Sequence, residues 1–515
     1  MSYGALRFLY DSRVTSASQL TPSTTAYGLL SGTEKVGTGS ATIQLGGQYT
    51  GTTTVLYTIE IDSITGGAEI GSATFRWRTS DTAAGTWEAS GVTTPSTLTT
   101  LNNGVQIKFT AGTGDDFAKG DVWRFEARAI YGNANLIDLD RQTAWRSHTN
   151  SNICLNGTVE SFDSSTLLPT FWSFSAAGVT ITWESGTKHS GSYSLKVVCA
   201  GVDIGADQTN AENTKLDADY MGTGSTWKVT FWAKVSAGTL KGGFYQTGND
   251  ARETITNGDN RDIWTEYSQT FEANGNDGEL QFFSAVNPST FYIDDVTLEK
   301  IGDAIVIDLG SAQSVTACAL LGHNFTGSAT VKLQGNASDS WGSPSVDRTL
   351  TVTDPIISDY PTGSYRYWRV FWTDSTTTED FFTLDELFLG TYLQLAHAVN
   401  AVWGLPRTYG LTIRDSMSEP GIRRRNVLAE KTVLSLSFPG FLDNTDFASL
   451  LTMQEALYDT STGEMDNLFV HLFYDEADSI YFMTWLNIHT WQRVYSSYGL
   501  NTISLEFEEE PKPRV

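Results

Sequence analysis

The sequence predicts a predominantly all-β protein built from several β-sandwiches or jelly rolls, ending in a module where one helix packs on a sheet. Charged residues make up only 18% of the 515 residues, and the chain is rich in Ser, Thr, Asn and Gly. Aromatic residues reach 12%, and short segments alternate between apolar and polar residues with the period of a strand. A chain of this length holds about three or four domains.

The charge balance excludes some classes of partner. Lys and Arg total 33 against 59 Asp and Glu, a formal net charge of −26. A protein that binds phosphates needs clustered cations, so we expect no nucleic-acid partner. No apolar run reaches 18 residues and no export signal is recognised at the start, so we expect cytoplasmic synthesis and no membrane insertion. The three cysteines are predicted to be buried free thiols.

The first 131 residues of the chain divide into two regions. Residues 1–34 carry two apolar patches, 6–10 and 27–30, in a Ser/Thr-rich stretch. A mobile tail would not need such patches, so we predict an extended arm that docks on another subunit. Residues 35–131 alternate strands with Gly-containing turns, which predicts a small antiparallel β-sandwich.

A split domain is predicted next. Residues 133–147 pair an acidic loop with a tryptophan, and alternating strands resume only at 303–310, with closing segments at 365–370 and 385–390. These segments resemble discoidin (coagulation-factor C-type) jelly-roll domains. The resemblance implies one such domain over 132–154 plus 302–392, interrupted by an insertion.

The insertion, residues 155–301, contains five short segments in a recognisable order. They are Asn156-Gly-Thr-Val-Glu160, Ser190-Gly-Ser-Tyr-Ser-Leu-Lys196, Trp227-Lys-Val-Thr-Phe-Trp-Ala-Lys234, Trp264-Thr-Glu-Tyr267 and Phe291-Tyr-Ile-Asp-Asp-Val296. Their order and spacing resemble the β-jelly-roll carbohydrate-binding modules attached to xylanases and glucanases. A jelly roll has its termini close together, so a loop of another domain can host it.

Residues 393–515 differ from the rest. A strand at 433–438 precedes a helical pattern at 445–457, and three further strands follow. One helix on a split barrel resembles the ring-forming module of bacteriophage tail-tube and distal-tail proteins. Arg423, Arg424 and Arg425 stand out in an acidic chain and are candidate subunit-interface residues; a solvated loop is the alternative.

Sugar binding requires exposed aromatic rings beside planar polar groups. Alternation places Phe231 on the same face as Trp227 and Val229, which predicts that these three residues form core. Trp232 faces the other way, among polar neighbours. The candidate carbohydrate-binding residues are Trp232, Tyr245, Gln246 and Trp183, and core packing is the alternative for each aromatic residue.

Carboxylates are candidate Ca²⁺ ligands, since this ion takes oxygen ligands that converge from separate segments. The discoidin-like resemblance implies Asp138, Asp140, the carbonyl of Thr143, and Glu386. The module-like resemblance implies Glu160 and Asp294. The alternative is hydrogen-bonded turns and exposed acids on an acidic protein.

No catalytic signature is present in the sequence. The adjacent acids Asp294 and Asp295 point to opposite faces of a strand, so they cannot flank one glycosidic bond. Asp385 and Glu386 are arranged in the same way. We therefore predict no catalytic residues and no enzymatic activity.

Glycan-binding modules in a chain with no recognisable export signal indicate a bacteriophage tail component, made in the host cytoplasm and released in the virion. Its partners would be copies of itself in a ring or collar, neighbouring tail proteins and host-surface polysaccharide. The alternative is a non-viral carbohydrate-binding protein or the accessory module of a glycanase. A polysaccharide depolymerase would need an acid pair that the sequence lacks.

Overall fold

The structure is a computed structural model of the chain. It describes all residues except 1–5, 25–28, 48, 50, 52–54, 84, 129–132, 139–143, 163–168, 175–176, 212, 257–262, 396–406, 418–422, 443, 459–465, 473–479, 488–493, 496–500 and 510–515. The described residues are mostly β-strand, so the predicted fold class is confirmed. None of the described helices is long and apolar enough to cross a membrane.

The first part of the chain contains only strands and one short helix. The elements are β1 (Arg7–Ser12), a 3₁₀ helix (Ala17–Gln19), β2 (Leu20–Pro22), β3 (Leu29–Val36), β4 (Thr42–Gly47), β5 (Val55–Ser63), β6 (Thr74–Thr79), β7 (Ala89–Thr93), β8 (Thr99–Thr100), β9 (Val105–Thr110) and β10 (Val122–Arg128).

The middle of the chain is also dominated by strands. The elements are a 3₁₀ helix (Asn133–Leu136), β11 (Trp145–Arg146), β12 (Ser173–Phe174), β13 (Val179–Glu184), β14 (Ser194–Cys199), β15 (Gly205–Gln208), a 3₁₀ helix (Thr214–Leu216), α1 (Ala218–Met221), β16 (Thr226–Ala237), β17 (Thr239–Gln246), β18 (Asn249–Thr256), β19 (Thr265–Glu272) and β20 (Gly278–Ser284).

The last part combines strands with the longest helix. The elements are β21 (Ser289–Val315), β22 (Ala317–Leu321), β23 (Thr330–Asn336), β24 (Val346–Leu350), β25 (Ile356–Asp359), β26 (Gly363–Thr373), β27 (Thr383–Leu384), β28 (Glu386–Gln394), β29 (Arg407–Met417), β30 (Arg423–Leu442), α2 (Asn444–Leu457), β31 (Leu468–His471), β32 (Ile480–Trp485), β33 (Val494–Tyr495) and β34 (Asn501–Glu509).

The chain divides into two compact units. The smaller consists of residues 25–135 and 143–146, and the larger of residues 1–24, 136–142 and 147–515. In the smaller unit, one sheet has the order β3-β10-β5-β6-β7 and the other β4-β9-β8. Both contribute to one aromatic core in which Tyr57 stacks on Phe125 at 5.0 Å. Side chains alternate between this core and the outside, as period-two strands require.

In the larger unit, residues 151–315 form two facing sheets. One has the order β12-β15-β20-β17-β18; the other contains β13, β14, β21, β16 and β19. Trp227, Val229 and Phe231 are fully buried between them, so the core prediction for these residues is confirmed. Strand β21 runs unbroken through the predicted boundary at 301–302 and pairs with β26 in its second half. The inserted region and the region after it therefore share one sheet.

The N-terminal strand packs differently from the prediction. β1 pairs with β28 on one side and with β31 on the other, and β2 pairs with β21. Leu6, Phe8 and Leu9 are buried by these contacts. We predicted an arm that docks on another subunit, whereas the structure uses these residues inside the chain's own sheet. A strand that lies between two others has its backbone groups hydrogen-bonded along both edges. Its side chains are then buried in the sheet, which explains why this segment is apolar.

The C-terminal region follows the predicted helix-on-sheet pattern. α2 covers the predicted 445–457 segment and packs Leu450, Met453 and Leu457 onto a sheet in the order β31-β32-β34-β30-β29. Elsewhere, Cys154, Cys199 and Cys318 are buried free thiols, as predicted.

Candidate functional site

The sheet β12-β15-β20-β17-β18 has one face in the core and one polar face. Leu240, Phe244, Leu280 and Phe282 are fully buried on the core side. Alternation turns the residues between them to the other side. We call this outer surface the polar sheet face and define it by Ser173, Asp207, Lys241, Tyr245, Asp250, Arg252, Glu279, Gln281 and Phe283.

Arg252 is the centre of this face. Its Nε donates to Asp250 Oδ1 at 2.7 Å, its Nη1 donates to Gln281 Oε1 at 2.6 Å, and its guanidinium lies 4.6 Å from the Tyr245 ring centroid. Lys241 Nζ donates to Asp250 Oδ2 at 2.6 Å. The hydrogen bond from Arg252, supported by Lys241, holds the pKa of Asp250 well below its usual range. The face therefore presents a fixed array of charged hydrogen-bonding groups at neutral pH.

Gly243 makes the central contact possible. In the strand register, this residue lies between Arg252 on β18 and Gln281 on β20. Its φ is +137°, and an added Cβ would lie 2.7 Å from the carbonyl oxygen of Ala251. Because glycine has no side chain, the guanidinium reaches across β17 to the amide of Gln281.

The other half of the face is less exposed. Asp207 is 7% exposed, Gln281 6% and Phe283 8%. Ser173 Oγ donates to Asp207, and Gln281 Nε2 donates to Glu279. Polar groups therefore lie beside an aromatic ring on a surface that is largely shielded from solvent. Such a surface can hydrogen-bond the hydroxyl groups of a sugar while the aromatic ring contacts the apolar face of the sugar ring.

The structure separates the predicted pair Tyr245 and Gln246. Tyr245 is half-buried on the polar sheet face, but Gln246 is 1% exposed on the opposite side of β17. Its Nε2 donates to the carbonyl of Asn276 at 2.7 Å, and its Oε1 accepts from the Asn274 amide at 3.3 Å. Gln246 thus closes a turn of the backbone and offers no group to a surface ligand in this structure.

Trp232 lies on the outer face of the second sheet. The imidazole of His189 stacks on its ring with centroids 3.7 Å apart and planes 10° apart. His189 Nδ1 is also 2.7 Å from Asp295 Oδ2. One ring face of the predicted platform is therefore already covered by a side chain of the chain itself.

Trp183 belongs to a third aromatic group. Phe162 stacks on it with centroids 4.9 Å apart, and Tyr193 meets it edge-on at 4.4 Å. Trp183 shares the strand face of the buried Ile181, whereas Phe162 is 38% exposed. The sequence analysis missed Phe162, which is the more accessible ring of this group.

The two carboxylates implied for calcium in the inserted region bind the same loop. Asp294 Oδ2 accepts from the amides of His189 and Ser190 at 2.9 and 3.1 Å. Glu160 Oε1 accepts from the amides of Ser192 and Tyr193 at 2.6 and 3.1 Å. The two groups therefore hold consecutive parts of one turn through backbone amides, which is the hydrogen-bonded arrangement that the sequence analysis gave as the alternative to calcium ligation.

Asp294 is fully buried, and burial raises its pKa to about 6, while the neighbouring Asp295 charge acts in the same direction. Among the described residues, the groups that donate to it are backbone amides. Three backbone amides thus satisfy this buried carboxylate, and among the described residues no group of three His, Cys, Asp or Glu side chains is placed to hold a metal ion.

The remaining predicted residues are only partly described. Asp138 and Glu386 line one cavity of about 410 Å³ together with Asp11 and Asp466, with Asp138 exposed and Glu386 1% exposed. Asp140 and Thr143 lie outside the described residues. Arg423, Arg424 and Arg425 begin β30 and pair with Met417, Ser416 and Asp415 of β29, respectively, so they start a strand; their side chains are not among the described ones.

The sequence analysis missed most of the polar sheet face. Arg252, Gln281, Asp207 and Phe283 were not selected. The signal was present in Gly278-Glu-Leu-Gln-Phe-Phe283, where polar residues alternate with core residues. What the alternation could not show is that β18, β17 and β20 are neighbours in that order, which brings Arg252 onto Gln281.

Comparison with known families identifies this region. Residues 151–290 match the family described as a carbohydrate binding domain. The match spans the strands that build the polar sheet face and both aromatic groups of the other sheet. This match supports the resemblance to carbohydrate-binding modules found in the sequence. No curated protein matches the chain.

Solved structures with partial similarity include a CBM22-1 xylan-binding domain from Paenibacillus barcinonensis Xyn10C, at 14% identity, 30% of this chain, 97% of that chain and a TM-score of 0.23. A family 22 module of Clostridium thermocellum Xyn10B is 18% identical, covers 25% of this chain and 85% of that chain, and has a TM-score of 0.20. Tailspike protein 4 of bacteriophage CBA120 is 20% identical, covers 29% of this chain and 21% of that chain, and has a TM-score of 0.22. At these scores the likeness carries no functional argument.

Proposed function

We propose that this protein binds polysaccharide through the polar sheet face of its carbohydrate-binding module. The observation that carries the proposal is the Arg252 cluster. It joins a guanidinium, an amide and two acids beside Tyr245 and Phe283, inside the region that matches the carbohydrate-binding family. Sugar hydroxyls pair with such fixed polar groups, and the apolar face of a pyranose packs on aromatic carbons.

Replacing Arg252 with alanine is expected to weaken polysaccharide binding by at least about 10-fold. The change removes the donors that hold Asp250 and Gln281 in place, and bonds to charged groups contribute about 1.5–3 kcal/mol each. Tyr245→Ala should act in the same direction through lost ring contact. The measurement is affinity electrophoresis of the full chain in soluble xylan, mixed-linkage β-glucan and host-type capsular polysaccharide.

Two controls locate the site. Arg366→Ala removes another arginine that pairs with an aspartate, Asp308, at 2.7 Å in a different region, and should bind like the unmodified protein. Trp232→Ala tests the other sheet. If Trp232→Ala abolishes binding while Arg252→Ala and Tyr245→Ala retain it, the polar sheet face is not the site. Retention by all three variants would also contradict the proposal.

We further propose that the module is carried by a component of a bacteriophage tail, which assembles through the C-terminal region. β29 is an eleven-residue strand at the end of its sheet order, and among the described strands it pairs on one side only, with β30. An unpaired edge of this length favours pairing with another chain. Many copies in a ring would convert weak glycan binding into avidity.

The assembly proposal predicts a closed oligomer in native mass spectrometry and rings in electron micrographs of the full chain. The triple variant Arg423→Glu, Arg424→Glu, Arg425→Glu reverses the charge at the start of β30, so we expect its mass to fall to that of a monomer. Control substitutions of Lys332, Arg348 and Arg366 to glutamate change the net charge equally on other strands. A monomeric unmodified protein that binds polysaccharide would favour the alternative, an accessory carbohydrate-binding protein of a glycanase.

A further inference from the structure

A tryptophan lies in a surface loop outside the region that matches the carbohydrate-binding family. Trp341 belongs to the loop 337–345, which joins β23 to β24 in the larger unit. Its neighbours Ser340, Gly342 and Ser343 are exposed, whereas Trp341 itself is half-buried. A large aromatic residue among small exposed ones has no local core to enter, so its contacts show what holds it in place.

The ring of Trp341 is fixed from two sides. Its Nε1 donates to Asp339 Oδ1 at 2.8 Å, and the guanidinium carbon of Arg369 lies 5.0 Å from the ring centroid. The loop is also closed by Asn336, whose Nδ2 donates to the carbonyl of Ser340 at 2.7 Å. A ring that is held in place before a ligand arrives loses little conformational entropy on binding.

The sheet surface beneath Trp341 is polar. On β26, the side chains of Trp368, Val370 and Trp372 are fully buried, so alternation turns Arg369 and Phe371 to the outside. We call this outer surface the Trp341 face and define it by Lys332, Gln334, Trp341, Asp347, Arg369 and Phe371.

Hydrogen bonds link the polar groups of the Trp341 face. Arg369 Nε donates to Gln334 Oε1 at 2.9 Å, and Gln334 Nε2 donates to Asp347 Oδ1 at 3.1 Å. Lys332 Nζ donates to Asp347 Oδ2 at 3.1 Å, and Arg369 Nη1 donates to Glu272 Oε1 at 2.8 Å. The Nη2 of Arg369 has no acceptor among the described residues and is not an enclosed atom, so a ligand can reach this donor.

The polar sheet face contains the same five kinds of group. A guanidinium, an amide, an acid, a lysine and an aromatic ring occur there as Arg252, Gln281, Asp250, Lys241 and Tyr245. The two sets lie on different sheets of the larger unit, and only the first lies inside residues 151–290. Recurrence of one set of groups on a second sheet indicates a ligand of the same class, so the choice of a glycan rests on the proposed function.

The charges of the Trp341 face favour a neutral ligand. Lys332 lies 3.1 Å from Asp347 and Arg369 lies 2.8 Å from Glu272, so each cation already has an acid as its partner. The Gln334 amide, followed by Lys332, holds the pKa of Asp347 below its ordinary value, and this acid is therefore charged at neutral pH. An anionic ligand would meet these carboxylates, whereas the hydroxyl groups of a neutral sugar can donate to them.

We propose that the Trp341 face is a second carbohydrate-binding surface, which takes a neutral polysaccharide. Trp341 packs on the apolar face of a pyranose, while Arg369 Nη2 donates to a hydroxyl group of the sugar and the carboxylate of Asp347 accepts from another. Two surfaces on one chain can hold one polymer, so the affinity for polysaccharide depends on both of them.

The test is affinity electrophoresis of the full chain in gels that contain mixed-linkage β-glucan, arabinoxylan or the anionic polymer polygalacturonate. We expect a neutral polymer to retard the unmodified chain and Trp341→Ala to weaken this binding by at least about 10-fold. Trp341→Phe keeps an aromatic ring and should lose less than Trp341→Ala. Asp347→Ala is a second variant, at an exposed position outside the loop, and should also weaken binding.

The matched control is Trp87→Ala. Trp87 is another half-buried tryptophan near a guanidinium, that of Arg76 at 4.2 Å, but it belongs to the smaller unit. This variant should bind like the unmodified chain. Equal loss in Trp87→Ala and Trp341→Ala overturns the proposal, and so does retardation by polygalacturonate alone or by none of the three polymers.

Repeating Trp341→Ala in a chain that carries Arg252→Ala and Tyr245→Ala separates the two surfaces. If only the polar sheet face is wrong, this parent binds fully and Trp341→Ala still weakens binding. If Trp341→Ala changes retardation in neither parent, the Trp341 face is not a binding surface. Native mass spectrometry tests the other occupant, a second copy of the chain: a smaller oligomer of Trp341→Ala with unchanged retardation also overturns the proposal.

Discussion

Replacing Lys300 with methionine is expected to destabilise the larger unit by about 3–5 kcal/mol, the typical cost of breaking a buried ion pair. Lys300 Nζ lies 3.0 Å from Asp303 Oδ2, and both side chains are fully buried. Thr24 joins them, accepting from Lys300 at 2.9 Å and donating to Asp303. Burial lowers the pKa of Lys300 to about 8, so the ammonium is still charged at pH 7. Without it, the Asp303 charge has no cation inside the protein.

The measurement is the unfolding temperature in scanning calorimetry, where we expect a fall on the order of 10 °C. Lys332→Met is the matched control, since Lys332 pairs with Asp347 at 3.1 Å on the surface and its loss should cost at most about 1 kcal/mol. The double variant Lys300→Met, Asp303→Leu should recover much of the loss, because it removes both buried charges. A double variant no better than Lys300→Met would show that the ion pair is not the cause.

Asp294→Asn is expected to change how the free energy of unfolding depends on pH, by about 3 kcal/mol when a chelator is present. The magnitude follows because a pKa difference of one between the folded and unfolded states corresponds to about 1.4 kcal/mol. Burial raises the folded-state pKa of Asp294 to about 6, above its ordinary value of 3.8. A raised carboxyl pKa contributes stability below about pH 4 that is lost as the pH rises to about 6. Asparagine does not titrate, so relative to the unmodified protein the variant should gain stability between about pH 4 and 7.

Calcium should reverse this difference if Asp294 and Glu160 hold the ion. Ca²⁺ binds the ionised carboxylate, so millimolar CaCl₂ at pH 7 should raise the unfolding temperature of the unmodified protein more than that of Asp294→Asn. Asp295→Asn is the control, since Asp295 pairs with His189 and is not buried. Parallel pH profiles of Asp294→Asn and the unmodified protein in chelator would contradict the raised pKa. Equal calcium shifts would contradict the proposed ligand role.

Strand β16 shows how far alternation alone can lead. Alternation correctly assigned Trp227, Val229 and Phe231 to the core, because period two is a property of a single strand. It also turned Trp232 outward, but it could not show that His189, from a loop 43 positions earlier, covers that ring. Whether an outward-facing ring is covered depends on which loop packs over its strand, and long-range packing determines that loop.

The N-terminal strand gives the same lesson for assembly. Buried apolar residues in 6–10 were predicted to need a partner surface, and they have one. Whether that surface belongs to another subunit or to the same chain depends on where β28 and β31 lie, about 380 and 460 positions later in the sequence. Composition contains no information about that distance.

The sequence by itself determined the β class, the helix at 445–457, the buried cysteines and the resemblance of the inserted region to carbohydrate-binding modules. These follow from local periodicity, residue size and the order of short segments. Only the tertiary structure decided that β21 joins two regions in one sheet, that Lys300 and Asp303 are buried together, and that Arg252 meets Gln281 across Gly243. The physical reason is that strand neighbours are chosen by burial and hydrogen bonding over the whole chain, which no local pattern specifies.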